Sequence, residues 1–431
     1  MATFPDIIGR HLIPRRLLVL GTLIFIGEAM FGLPFHIPRY FRATVLEVFG
    51  LSNAQLGDLF AVYGVMAMLA YFPGGPLADR FPARKLMAIS LFATGIGGLY
   101  LSTIPGPFGL ALLYGYWGVT SILLFWAALI RATREWGSAS EQGRAFGILD
   151  GGRGLVAAGL ASLAVVAFGW FLPGEADVMT AEDRLVALKS VVHSYTAATL
   201  IAGLLCWISI PDEGSRRRPH RTRSFSGIGQ VIRAPRVWAQ ALVVVCAYCG
   251  YKGLDNYSLY AVQVLGMSEL DAARFTAATA YIRLFAAIAA GLMADRFNAR
   301  RVIGGLFVAL MISFGVLSKI TPSPDLMNIL YANVMISYFG VFGLRGVYFA
   351  LLEETRIPDD HTGTAVGVIS VVGFAPEIFF GPISGRILDH SPGVAGHQNY
   401  FLLLAGISAV GVVIVLILMS LLKNASSQPD P

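Results

Sequence analysis

Charged side chains inside long apolar runs are the residues of this sequence that could do chemistry. Glu28, Arg283 and Glu377 each fall near the middle of such a run, counting about 1.5 Å of rise per helical residue. Burying an ion in hydrocarbon is costly, so each residue is a candidate functional group. A carboxyl in such a site can exchange a proton near neutral pH, which makes Glu28 and Glu377 candidate proton carriers. The alternative is a fixed ion pair, with Arg283 or Lys252 as the partner.

Lys252 and Asp255 form a pair of opposite charges three residues apart, so both lie on one face of a helix. One interpretation is that the two charges only neutralise each other. The other is that Asp255 is a third candidate for proton coupling. Lys252, Arg283 and Arg345 are candidate contacts for an anionic solute, because all three cations fall within apolar runs of the second half of the chain.

Asp150 and Arg153 form a second pair with the same spacing, near the cytoplasmic start of its run. Glu353 also lies near a cytoplasmic edge. Gating or packing salt bridges explain these residues better than contact with a solute. Five aromatic residues are candidate solute contacts, with packing or anchoring at the membrane interface as the alternative for each: Tyr63, Trp126, Tyr251, Tyr257 and Tyr348.

The sequence lacks the motifs of several other functional classes. The sequence has no Gly-x-x-x-x-Gly-Lys-Ser/Thr loop for nucleotide phosphates and no cluster with catalytic metal spacing. Cys246 and Cys249 have the spacing of a redox or zinc motif without its flanking context, so we interpret them as apolar helix residues. We therefore expect no enzyme, no cofactor and no metal.

The elements that must position these residues are membrane-spanning helices. The chain has 431 residues, of which 56% are apolar and 13% charged, with a mean hydropathy of +0.67. Soluble domains carry about 25% charged residues. A spanning helix needs about 20 mostly apolar residues. Twelve runs qualify: 17–38, 54–74, 86–104, 107–130, 146–170, 194–211, 237–261, 270–293, 302–320, 326–352, 364–387 and 399–422. Two glycine-containing patterns within them, 32–34 and 250–253, are predicted flexible or broken points.

The distribution of Lys and Arg predicts the orientation. With both termini cytoplasmic, the cytoplasmic segments carry roughly three times as many of these residues as the opposite side. The net charge of +6 is then an orientation signal and not a nucleic-acid site. The basic stretch 216–223 lies in a predicted cytoplasmic linker, 212–236, where anionic lipid headgroups are its expected partner. The segment 172–193 is the largest predicted external loop, with a short surface helix inside it as an alternative. The tail 424–431 is predicted to be disordered.

An internal repeat divides the chain into halves, 1–211 and 237–423. The segments 75–85 and 291–301 are identical at seven of eleven positions, at an offset of 216 residues. The segments 126–134 and 348–356 form a second related pair. Six spans per half give both halves the same orientation, and a solute site is expected at their interface near the midplane of the membrane.

These repeated segments resemble the signature loop Gly-x-x-x-Asp-Arg-x-x-x-Arg-Arg/Lys of the major facilitator superfamily. Pro82 and Asn298 stand where the family usually has glycine. The stretches 345–354 and 362–367 are similar to a group of bacterial permeases without a settled substrate. The resemblance implies an all-α membrane fold of twelve helices in two parallel halves. It also implies that Asp79 helps to hold the cytoplasmic side closed against the eleventh predicted span, 364–387. The other loop residues would have supporting gating roles: Arg80, Arg84, Asp295, Arg296 and Arg300.

The leading hypothesis is a secondary transporter in a bacterial-type inner membrane. It would move a small organic anion, such as a sugar acid, a carboxylate or a phosphorylated or sulfonated compound, by alternating access coupled to protons. The alternatives are an exporter of amphipathic compounds and, in another class, a membrane sensor that does not transport. Since each chain contains both halves, we expect a monomer to suffice.

Overall fold

The computed structural model describes residues 4–137, 142–172, 179–212, 228–351 and 367–426, and all regular secondary structure in these ranges is helical. Ten helices in them are long and apolar enough to cross a membrane. Two further segments, Arg15–Ala29 and Gly32–Tyr40, meet at a bend of 42°. If this pair is counted as one span, the described residues contain eleven candidate spans. The all-helical fold is thus confirmed, whereas the predicted count of twelve spans is not.

The missing span is the predicted run 86–104. It corresponds to the helix Ala83–Leu101, which is not among the eleven. Arg84 and Lys85 in its first turn lower the mean hydropathy of this short helix. The polar residues in its middle are buried inside the protein. Ser90 and Thr94 are fully buried, and the Thr94 hydroxyl lies 2.8 Å from the hydroxyl of Thr120.

The chain forms two compact units. The first unit comprises Met1–Leu51, Val62–Arg218 and Glu269–Ala278. The second unit comprises Ser52–Ala61, Pro219–Ser268 and Thr279–Pro431.

The helices up to residue 212 include two short π-helical segments, Gly32–His36 and Ser121–Trp126. The α-helices are α1 (Phe4–Ala29), α2 (Ile37–Tyr40), α3 (Arg42–Phe49), α4 (Asn53–Arg80), α5 (Ala83–Leu101), α6 (Pro107–Thr120), α7 (Ala127–Trp136), α8 (Gln142–Trp170) and α9 (Ala181–Ser209). In the first unit, α1 packs against α8 and α9, and α5 packs against α9. Fully buried apolar side chains from α1, α5 and α7, such as Leu23, Met87 and Ala128, form its core.

The helices after residue 227 include three 3₁₀ turns, Leu254–Asn256, Pro324–Leu326 and Tyr348–Ala350. The α-helices are α10 (Ile228–Arg233), α11 (Pro235–Gly253), α12 (Tyr257–Gln263), α13 (Glu269–Ala280), α14 (Ile282–Phe297), α15 (Ala299–Leu317), α16 (Met327–Val347), α17 (Pro376–His390) and α18 (Val394–Ser426). In the second unit, α11 packs against α16, α17 and α18.

One predicted boundary is wrong by more than three helical turns. The sequence predicted a loop over 172–193 and a span from residue 194, but α9 begins at Ala181. Its start is fixed by a capping box. The Thr180 hydroxyl accepts from the Asp183 backbone N–H at 3.2 Å, and the Asp183 carboxylate accepts from the Thr180 backbone N–H at 2.9 Å. The first turns of α9 contain polar residues that lower its hydropathy, so a prediction based on hydropathy placed the start of the helix too late.

Candidate functional site

A break in the first span brings two titratable side chains together. α1 ends at Ala29, and the chain bends into the π-helical segment that contains Pro34. Proline cannot donate a backbone hydrogen bond, which favours such a break. Gly32 is needed here, because a Cβ atom at this position would lie 2.6 Å from Cδ1 of Tyr195. As a result, the His36 imidazole reaches back to the carboxylate of Glu28.

Glu28, His36 and Arg153 form a buried ion cluster in the first unit, which we call the Glu28 cluster. Their exposed fractions are 4%, 2% and 7%. Glu28 Oε2 accepts from Arg153 Nε at 3.0 Å, and Glu28 Oε1 lies 3.2 Å from His36 Nε2. Glu28 thus pairs with Arg153 and His36, whereas the sequence suggested Arg283 or Lys252 as its partner.

Arg153 lies at the centre of further contacts. Its guanidinium carbon is 5.6 Å from the ring centroids of both Phe31 and Trp126, which is cation–π distance. Its Nη1 lies 4.0 Å from the carboxylate of Asp150, whose side chain is 44% exposed. The pair predicted from the spacing therefore exists, but the shorter bond of Arg153 goes to Glu28. Trp126, a predicted solute contact, packs edge-on against Phe31.

A second break positions a second cluster. α11 ends at Gly253 and continues as the 3₁₀ turn Leu254–Asn256, as the glycine pattern 250–253 led us to expect. Lys252 and Asp255 flank this break, and each is 3% exposed. Lys252 Nζ forms an ion pair with Asp255 Oδ2 at 2.8 Å and donates a hydrogen bond to Glu377 Oε1 at 3.0 Å. We call these three residues the Lys252 cluster.

Glu377 is held from three sides. It lies in the first turn of α17, where the helix dipole favours negative charge. Besides the bond from Lys252, its Oε2 accepts from the Tyr248 hydroxyl at 2.7 Å. Lys252 also lies 4.6 Å from the ring centroid of Phe60, which belongs to the same unit. One ammonium group is thus shared by two carboxylates in a largely aromatic setting.

Arg345 and Arg283 are the other two predicted anion contacts. The Arg345 guanidinium carbon lies 4.0 Å above the ring of Tyr251, and that ring is 5.7 Å from the ring of Tyr248. An aromatic path therefore links Arg345 to Glu377. Arg283 is 6% exposed and occupies the second position of α14, after the interruption that separates α14 from α13.

Two predicted solute contacts have hydroxyl partners inside their own units. The Tyr63 hydroxyl lies 2.7 Å from Ser121 Oγ, and its ring packs edge-on against Phe35. The Tyr257 hydroxyl lies 2.7 Å from Ser337 Oγ. These contacts favour the packing interpretation that the sequence left open for both tyrosines.

The predicted gating residues lie in different settings. Arg84 forms an ion pair with Asp212 and lies 5.0 Å from the ring centroid of Trp207, within the first unit. Arg300 is half-buried. Glu353 and the segment that precedes residue 367 lie outside the described residues. The remaining predicted gating residues of the two repeated loops are exposed: Asp79, Arg80, Asp295 and Arg296.

The sequence analysis did not predict two sets of contacts near the ends of helices. In the second unit, Asp389 caps the start of α4, since its carboxylate accepts from the backbone N–H groups of Asn53 at 3.0 Å and Ala54 at 2.7 Å. In the first unit, Glu269 accepts from Arg184 Nε at 2.6 Å and also bonds Thr44. These partners lie more than 80 residues apart, so no local spacing could have revealed them.

Two further functional candidates were missed or undervalued. Tyr248 lies four residues before Lys252, so the two side chains share one helix face, and this spacing was a usable signal. Arg42, which follows the predicted run 17–38, is only 2% exposed. The apolar runs ended too early to reveal that the first span continues, after its bend, to Tyr40.

The fold and the buried ion clusters define a class, an all-helical polytopic membrane protein with charged groups inside its spans. The sequence profile of the Major Facilitator Superfamily matches residues 17–381. The chain therefore belongs to this family, as the repeated loop motif indicated. It is a transporter of a small-molecule solute and not an enzyme.

Relatives cover nearly the whole chain. It is 28% identical over 427 residues to the inner membrane protein YqcE of Escherichia coli K12, covering 96% of this chain and 97% of the relative. It is 27% identical over 398 residues to a probable nitrate/nitrite antiporter, NarK1, of Thermus thermophilus, covering 83% and 82%. The protein is thus an integral protein of the inner-membrane type.

The fold is also similar to that of a solved transporter. The crystal structure of a bacterial homologue of the human lysosomal transporter Spinster matches with a TM-score of 0.68 at 16% identity. The match covers 96% of this chain and 97% of that chain. At this identity the similarity supports the fold alone.

Proposed function

We propose that this protein is a secondary carrier that moves a small organic anion together with protons by alternating access. The observation that supports this most is the Lys252 cluster, in which one buried ammonium group is shared by Asp255 and Glu377. The solute class is a sugar acid, another carboxylate, or a phosphorylated or sulfonated compound.

The charges of the Lys252 cluster suggest how a proton and an anion are coupled. With both carboxyls ionised, the cluster has one positive and two negative charges. A proton on Glu377 removes one negative charge and leaves Lys252 with Asp255 as its charged partner in the cluster. An anionic solute that then contacts the ammonium restores the original net charge of the cluster, so proton and anion together add no net charge to a site of low dielectric. Proton and anion therefore bind best together, which is the thermodynamic requirement for symport.

Other cations and relatives fit an anionic solute. Arg345 lies on the Tyr251 ring near the Lys252 cluster, and Arg283 is buried in the same unit. A guanidinium group suits planar oxyanions because it can bond them through two N–H groups. Nitrate, which appears in the name of the relative from Thermus, shares its planar oxyanion geometry with carboxylates.

The remaining assignments belong to the same proposal. The Glu28 cluster is a second proton site, the termini are cytoplasmic because of the Lys and Arg distribution, and a monomer is the working unit. The gating residues proposed are those of the two repeated loops, the Asp150 and Arg153 pair, and Glu353: Asp79, Arg80, Arg84, Asp150, Arg153, Asp295, Arg296, Arg300 and Glu353.

Uptake into proteoliposomes tests this function. A panel of radiolabelled sugar acids, carboxylates, and phosphorylated and sulfonated sugars is offered with and without an inward proton gradient. We expect one class to accumulate and the accumulation to collapse when an uncoupler is added. Arg283→Gln should weaken uptake, and unchanged uptake in this variant would remove one support for an anionic solute.

Two other outcomes would contradict the proposal. If no anion accumulates but a lipophilic dye moves with the gradient, the protein is an exporter of amphipathic compounds. If a ligand binds tightly and saturably without any accumulation, the protein is a membrane sensor.

A further inference from the structure

His36 is a buried imidazole that the proposed transport cycle has not yet used. It lies in the π-helical segment after the break in the first span and is 2% exposed. Its Nε2 lies 3.2 Å from Glu28 Oε1. A carboxylate can only accept a hydrogen bond, so beside ionised Glu28 this nitrogen must carry a hydrogen. Neutral His36 is then the Nε2–H tautomer, and one further proton can add at Nδ1.

Several charged and titratable groups face this imidazole from the surrounding helices. On α1 and α8 they are Glu28, Arg153 and, beyond Arg153, Asp150. The rings of Tyr40 on α2 and Tyr195 on α9 meet His36 edge-on, with centroids 5.8 Å and 5.6 Å away. Arg39 on α2 acts electrostatically on Tyr195, and Arg42 follows on α3.

The two oxygens of Glu28 have different partners. Arg153, which stays protonated, bonds Oε2 at 3.0 Å and stabilises the carboxylate form. Oε1 is left to His36. A proton added to the His36–Glu28 pair is therefore favoured on the imidazole. There it completes an alternating series of charges: His36 positive, Glu28 negative, Arg153 positive and Asp150 negative.

We propose that His36 is the proton-binding residue of the Glu28 cluster, with Glu28 as its permanently ionised counter-ion. This assignment rests on the proposed proton coupling and makes it more specific, because it names the side chain that holds the proton in the first unit. The proton bound is one per cycle, added at Nδ1 of the imidazole and released from it. Glu28 then acts as a positioning residue that holds the imidazolium.

Nitrogen NMR of the full chain in lipid nanodiscs tests the proposal without any solute. The seven histidines are labelled with ¹⁵N in the ring, and the His36 signal is identified by its loss in His36→Gln. We expect this signal to convert from the neutral to the imidazolium form between about pH 8 and pH 5, the range in which histidine ordinarily titrates. In Glu28→Gln, the imidazolium fraction at pH 6 should fall severalfold, although His36 is intact.

His397 provides a matched control. It is also buried, at 1% exposed, but its Nε2 lies 3.0 Å from the amide oxygen of Gln263 instead of a carboxylate. We expect its signal to remain neutral over the same range. The proposal is overturned if His36 keeps one protonation state from pH 8 to pH 5, or if Glu28→Gln leaves its imidazolium fraction unchanged.

The outcome is separable from that of the proposed function. If His36 titrates as described but uptake by the wild type ignores the proton gradient, the proton site stands and the coupling fails. If uptake depends on the gradient while His36 stays neutral, the coupling stands and this assignment is wrong.

Discussion

Arg153 shows what a buried charge requires in this protein. It meets the carboxylate of Glu28, two aromatic faces and, more distantly, Asp150. A buried ion pair is weakly stabilising as a whole, but removing one partner leaves the other charge uncompensated. The Glu28 and Lys252 clusters therefore share one physical property, which is that each charge depends on its partners.

Replacing Arg153 with methionine tests this dependence. Arg153→Met removes the guanidinium that Glu28 pairs with, and we expect the free energy of unfolding to fall by about 3–5 kcal/mol. Thermal unfolding in detergent measures the loss. The double variant Glu28→Gln/Arg153→Met should recover part of it, because the buried carboxylate that loses Arg153 is then replaced by a neutral amide. A double variant that is less stable than Arg153→Met would contradict this account of the cluster.

Tyr257 separates packing from solute binding. Its hydroxyl bonds Ser337, so Tyr257→Phe should lower the free energy of unfolding by about 1 kcal/mol and leave uptake nearly unchanged. Thermal unfolding and uptake are measured on the same preparation. Loss of uptake at full stability would instead make Tyr257 a contact of the solute.

The pairing of a charged residue could be predicted from the sequence when its partner lies nearby in the chain. The pairing of Lys252 with Asp255 followed from their spacing, and it is observed at 2.8 Å. Glu28 and Arg153 were recognised separately, but their pairing was not, because they lie 125 residues apart. A position inside an apolar run reveals that a charge is buried, whereas the fold alone decides which charge it meets.

At the scale of elements, most helices were predictable and their interruptions partly so. Apart from the run 194–211, the predicted runs match observed helices to within about two turns. The breaks at Gly32 and Gly253 lie at the predicted glycine and proline patterns. The start of α9 was missed because hydropathy outweighed the capping signal at Thr180 and Asp183.

Glycines set how closely helices approach in the second unit. A Cβ atom at Gly57 would lie 2.2 Å from the carbonyl oxygen of Gly381, so Gly57→Ala must push α4 and α17 apart. We expect a lower melting temperature. Gly159→Ala on α8 is the control, since nothing lies within 4 Å of its Cβ position. Both changes favour helix formation by up to about 1 kcal/mol, so the control should be unchanged or more stable.

A Gly57→Ala variant that melts with or above the Gly159→Ala control would show that the helices are not in contact there. The same comparison tests the Asp389 cap, because Asp389 bonds the start of the same helix.

At the scale of the whole molecule, composition and the internal repeat were enough to predict the class and the family. The repeated loop motif led to the Major Facilitator Superfamily, which the profile over residues 17–381 confirms. The solute was not predictable in the same way. A shared fold accommodates many solutes, and specificity depends on contacts such as Lys252 with Glu377 that join residues 125 positions apart.

The measurement that tests the central claim most directly is proton-driven accumulation by Glu377→Gln. Glutamine keeps the size of the side chain but imitates the protonated carboxyl at every pH. We expect this variant to exchange labelled for unlabelled anion across proteoliposomes but to lose accumulation driven by a proton gradient. The control is Glu47→Gln on α3, an exposed carboxyl outside both clusters, which should behave as the wild type. Accumulation by Glu377→Gln at the wild-type level would contradict coupling through the Lys252 cluster.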